Sequence, residues 1–93
     1  MGNYSLDLLR EQIDTLDMEI IRLLAQRMGH VSEVGYFKKK YRIVPLDESR
    51  WQEVLQSRVR RAQELGIDQD LVNGIYELIH KAALEMETVI QKG

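Results

Sequence analysis

The sequence predicts an all-α fold, a three-helix chain with a long first helix, and three observations carry that reading. Apolar residues recur at alternating spacings of three and four, the seam of an amphipathic helix. Two breaks, at Pro45 and at Gly66 to Asp68, divide the periodic stretches. No segment has the alternation of a strand.

The first seam starts with Leu6, Leu9, Ile13, Leu16, Ile20 and Leu23 and continues through Val31, Val34 and Phe37. Gly29 and Gly35 each weaken a helix by about 1 kcal/mol relative to alanine, but nothing stops this one before Pro45, which places it at about 6–42. Pro45 lacks an amide hydrogen and disfavours helix at Val44, so residues 42–47 form a linker, and Asp47 can cap a second helix over about 48–65. Trp51, Val54, Leu55, Val59, Ala62 and Leu65 are its apolar positions, and Gly66 suits the left-handed residue after its end. Asp68 caps a third helix over about 69–91, with Ile67 and Val72 spaced as a hydrophobic staple. Leu71, Ile75, Leu78, Ile79, Ala82, Met86 and Ile90 are expected to point inward. With no internal repeat or low-complexity stretch, residues 1–93 read as a single domain.

Length then raises a packing problem. A helix over residues 6–42 is roughly 55 Å long, whereas a compact chain of this size has a radius of gyration near 12 Å and spans roughly 30 Å. Two shorter helices cannot cover such a seam, and the simplest closed solution is a two-fold homodimer with paired long helices. The alternative is a break at Gly29 or Gly35 that folds the chain into a four-helix monomer.

Composition narrows the chemistry. Thirteen Lys and Arg against fifteen Asp and Glu give a net charge of −2, so no bulk positive field exists to hold a nucleic acid. The chain has no cysteine, which removes disulfides, thiolate nucleophiles and Cys-based zinc sites. His30 and His80 are too few and too far apart to suggest a metal site, and they read as packing or hydrogen-bonding residues. No apolar run approaches the roughly 20 residues that span a bilayer, and Met1 to Leu9 lack a basic region followed by an apolar core. A cytoplasmic chain with no membrane partner is expected.

Cations interrupt the seam. Past Leu23 its register lands on Arg27, a position that wants an apolar side chain, and Arg27 either snorkels, pairs with Glu33 or Asp17, or serves a ligand. Lys38 lies about 20° around the helix and roughly 16 Å along it, so the two can reach toward the space between them, which suits a small anion. Lys38 also opens the run Lys38 to Arg42, which a solvated helix end would carry equally well. Arg10 flanks the seam about 25 Å of rise from Arg27, a distance no side chain crosses. It either pairs with Asp14 on the surface or enters the pocket from the opposite monomer. On the third helix Tyr76, His80, Ala83 and Glu87 form a stripe that places Glu87 half inside. Trp51 reads first as a core anchor and second as a wall of the same pocket.

These residues resemble the all-helical, AroQ-type chorismate mutases. The segment from Leu9 to Asp17, then Leu23 to Arg27, Glu33-Val34-Gly35, Lys38, and the linker Val44-Pro45-Leu46-Asp47 followed by Arg50 match that family's pattern in order, over about residues 5–90. The resemblance implies an intertwined homodimer with two equivalent active sites, Arg10 entering from the partner. It implies that Arg10 and Arg27 bind substrate carboxylates and that Lys38 contacts a carboxylate and the ether oxygen of the breaking bond. Asp47 would sit at the ring hydroxyl, with Arg50 close by, and Glu87 would hydrogen-bond the ether oxygen. Trp51 stands where a glutamate often helps hold the hydroxyl, and Ala83 where a serine often contacts a carboxylate.

The implied reaction, the rearrangement of chorismate to prephenate in aromatic amino-acid biosynthesis, is unimolecular and pericyclic. It requires no nucleophile, metal or cofactor, only a pocket that holds the substrate in a compact chair and stabilises charge on the ether oxygen. A dicarboxylate substrate accounts for several cations converging in a protein of negative net charge. Two alternatives remain at this level. One is an isochorismate pyruvate lyase, which shares the fold and much of the pocket; the other is a non-catalytic helical dimerisation or regulatory module.

Overall fold

The computed structural model describes residues 5–93. Three helices follow one another, α1 (Leu6–Lys40), α2 (Glu48–Glu64) and α3 (Gln69–Lys92), and the described residues contain no strand. No helix among them is long and apolar enough to cross a membrane. Residues 1–4, part of the stretch read for an export signal, lie outside the described residues.

The chain divides into two units, one ending at His30 and the other running from Val31 to Gly93, with the boundary inside α1. Neither Gly29 nor Gly35 breaks the helix. In the first unit Ser5 caps α1, its hydroxyl accepting from the amide of Leu8 at 3.1 Å and its carbonyl from that of Leu9. The seam residues Leu6, Leu9, Ile13, Leu16, Ile20 and Leu23 are all exposed, Leu16 at 63%. Arg22 pairs with Glu19 one turn back, and this guanidinium holds the Glu19 carboxyl below its ordinary titration range.

In the second unit α2 packs against α3. Val54 and Ala62 of α2 are its buried apolar residues, at 6% and 2% exposure. Trp51, Leu55 and Val59 are half-buried, as are Ile79, Met86 and Ile90 of α3. Leu65 and, on α3, Leu71, Ile75, Leu78 and Ala82 are exposed, contrary to the inward positions their spacing predicts. Spacing identifies an apolar face; it does not say that the same chain covers it.

The helix ends follow local chemistry. Asp47 Oδ1 accepts from the amide of Arg50 at 3.0 Å, and Asp68 Oδ1 accepts from that of Asp70 at 2.8 Å. After α2, Gly66 takes a φ of +70° while Ile67 N–H bonds Ala62 O and Gly66 N–H bonds Gln63 O, a Schellman closure.

The same closure ends α1 at Lys40, two residues before the predicted end. Arg42 takes a φ of +58°, its N–H bonds Lys39 O at 3.3 Å, and Ile43 N–H bonds Lys38 O at 2.8 Å. An arginine in the left-handed region carries a Cβ penalty that glycine lacks, partly offset by glycine's larger entropy loss on folding. Arg42→Gly is therefore expected to stabilise the protein by about 0.5 kcal/mol, read as a higher denaturant midpoint with an unchanged slope.

Candidate active site

The second unit assembles a charged pair from near its two ends, Lys38 and Glu87. Gly35 of α1 is buried against α3: a Cβ there would meet Ile90 Cδ1 at 2.8 Å and the Glu87 Cα at 3.5 Å. A methyl group at position 35 would displace the flexible tip of the Ile90 side chain and would touch the Glu87 backbone at ordinary contact distance, so the two helices pass close here. One turn further along α1, Lys38 points to the same part of α3, and its Nζ lies 2.7 Å from Glu87 Oε1. The two side chains are 16% and 11% exposed.

The Lys38 ammonium also donates to the carbonyl of Pro45 at 2.5 Å. Proline brings no N–H of its own, so this stretch of linker presents an acceptor toward the lysine. An ammonium has three donors, and the bond to Pro45 occupies one of them. Glu87 Oε1 is close enough to Lys38 for an ion pair but is not aligned as a hydrogen-bond acceptor. Glu87 is buried, at 8% exposure, deeper than the half-inside position its stripe predicts.

Among the described residues, two buried side-chain polar atoms have no hydrogen-bond partner, Glu87 Oε1 and Arg27 Nη1. A buried donor or acceptor left without a partner costs about 1–3 kcal/mol, which a protein tolerates at few positions. Arg27 belongs to the first unit and is half-buried, while Arg10, on the same helix, is exposed.

The linker and α2 supply the other predicted residues. Asp47 uses Oδ1 as the cap of α2. Arg50 is exposed and its guanidinium lies on Glu53 Oε1 at 2.7 Å, so in this arrangement it is engaged along its own helix. Ala83 is half-buried on α3, one turn before Glu87. Trp51 is half-buried and stacks on His80, with ring centroids 4.0 Å apart.

Thus Lys38 and Glu87 come together directly, and Asp47, Arg50, Trp51 and Ala83 occupy the same unit. Two participants were not legible as such: the Pro45 carbonyl, because a backbone acceptor carries no residue signature, and Gly35, whose spacing signals a weakened helix before it signals a close crossing. The Lys38 ammonium, held by Glu87 and the Pro45 carbonyl, sets a cation at one point where an oxygen-rich anion could accept from it.

Known proteins resemble this chain in sequence. The chain is 33% identical over 79 residues to the T-protein of Enterobacter agglomerans, covering 85% of this chain and 21% of that protein. It is 37% identical over 67 residues to the T-protein of Haemophilus influenzae, covering 72% of this chain and 18% of that protein. The isochorismate pyruvate lyase of Pseudomonas aeruginosa is 36% identical over 73 residues, covering 77% of this chain and 71% of the lyase. This chain thus spans about a fifth of either T-protein's length. Residues 9–88, which include Arg10, Arg27, Lys38, Gly35 and Glu87, match the family "Chorismate mutase type II", and the chain belongs to that family.

Proposed function

We propose that residues 1–93 form one chorismate mutase domain, an isomerase that rearranges chorismate to prephenate, working in the cytoplasm as an intertwined homodimer. The buried Lys38–Glu87 pair carries this reading: a fixed cation beside a carboxyl group suits an ether oxygen that gains charge as its bond to carbon breaks. The dicarboxylate enters between cations from both copies. Arg27, with a buried Nη1 still without an acceptor, takes one carboxylate, and Arg10 of the partner subunit takes the other. Lys38 turns an N–H to the substrate, Asp47 faces the ring hydroxyl, and Arg50, Trp51 and Ala83 complete the wall.

Little else is required of the protein. Holding the substrate in its compact chair removes conformational freedom before the barrier, and a cation prearranged at the ether oxygen needs no reorganisation when charge develops there. The exposed seam of α1 supports the second copy. A chain whose own core holds Val54 and Ala62 as its buried apolar residues gains most of its apolar burial from another surface.

Turnover of chorismate by the purified protein tests the proposal. Prephenate is the expected product; salicylate and pyruvate from isochorismate would assign the lyase activity instead, and no turnover of either would leave a binding module.

Glu87 makes a separate prediction. As a carboxylate it repels the ether oxygen, and protonated it donates a hydrogen bond to it. Only the donating form serves the reaction. Glu87→Gln is expected to carry activity to higher pH, since the amide donates regardless. Matching profiles of kcat against pH for the two proteins would remove Glu87 from the mechanism.

A further inference from the structure

The Trp51 indole and the His80 imidazole lie face to face, with planes within 10° of parallel. Trp51 is the chain's one tryptophan and sits in the first turn of α2, beside the residues that leave the linker. His80 lies on α3 about two turns before Glu87 and close to one turn before Ala83, so these three residues share a stripe of that helix. Both rings are half-buried. A ring fully enclosed in a core is fixed by its surroundings, but a half-buried indole is fixed only by the groups it touches.

We infer that His80 is a positioning residue for the substrate pocket: its imidazole holds the Trp51 indole flat against α3 and so fixes the α2 wall of the site. The inference rests on the mutase reading, in which Trp51 lines that wall. A flat ring does this better than an aliphatic chain, because stacking constrains the tilt of the indole as well as its distance. Asp47, which caps α2 through the amide of Arg50, lies four residues from Trp51. A settled indole therefore keeps the first turn of α2 and its cap in register with the stripe that ends at Glu87.

The lone tryptophan makes the stack directly readable. In His80→Ala, acrylamide quenching of Trp51 fluorescence is expected to rise about twofold, and the KM for chorismate about fivefold, with kcat held within about twofold. His80→Phe, which restores a flat ring without the nitrogens, is expected to return both quenching and KM to the original values. Should His80→Ala lose its far-UV helical signal, His80→Leu replaces it, keeping volume without a flat ring, and the same changes are expected. An unchanged KM in the Ala or Leu variant overturns the inference. So does a raised KM that Phe fails to restore while it restores the quenching, since the nitrogens would then be what matters. If the unaltered protein turns over no chorismate, the mutase reading fails and takes this inference with it; normal turnover with an indifferent His80 removes the inference alone.

Discussion

Lys38→Met is expected to lower kcat/KM for chorismate by about 10³, most of it in kcat, because it removes the charge proposed to act on the ether oxygen while keeping an unbranched side chain of similar length. The effect on stability should also be large. Lys38 and Glu87 are 16% and 11% exposed, so removing the cation leaves a carboxylate in a poorly solvated place with its one charge partner gone. Breaking a buried pair in this way costs about 3 kcal/mol. The Pro45 carbonyl loses its donor as well. The two effects separate in the double variant Lys38→Met/Glu87→Leu, which carries no stranded charge: its denaturant midpoint should return most of the way, and its activity should not. If the double variant regained activity together with stability, the lysine would be a structural residue and the charge argument would fail.

Leu16→Glu is expected to abolish both assembly and turnover. Leu16 is 63% exposed on a single chain and lies in the middle of a row that runs from Leu6 to Leu23, all of it uncovered. The α1 helix is about 52 Å long, and an apolar row over that length is costly in water. In the dimer proposed here each copy covers the other's row, so one substitution sets two carboxylates into the apolar seam and each must be desolvated without a partner. Sedimentation should show a single copy with reduced helical signal, and chorismate turnover should fall below detection. A Leu16→Glu protein that sediments as before and keeps its rate would show that this row is not an interface.

The helices were legible because their causes are local. Asp47, Gly66 and Asp68 act on atoms within a few residues of themselves, and each sits where its side chain or its missing Cβ is needed. The end of α1 was less legible for the same reason in reverse, since Arg42 occupies a conformation that its residue type disfavours. Of the site, the charged positions could be read from register and resemblance, but the depth of Glu87 could not. That depth depends on how closely α1 and α3 pass at Gly35, a property of two segments about fifty residues apart. Nor could the sequence say that Leu71, Ile75 and Leu78 remain uncovered within one chain, because periodicity describes a face and not its partner.

The Lys38 contact with Pro45 bears on how this protein can change over evolutionary time. Connecting segments ordinarily accept insertions and deletions freely. Here the stretch between α1 and α2 supplies one of the atoms that holds the principal cation, so gaining or losing a residue there would redirect that cation and not merely reshape the surface. Among the described residues the turn between α2 and α3, closed by Gly66, has no such tie, and length variation among relatives of this chain should concentrate there.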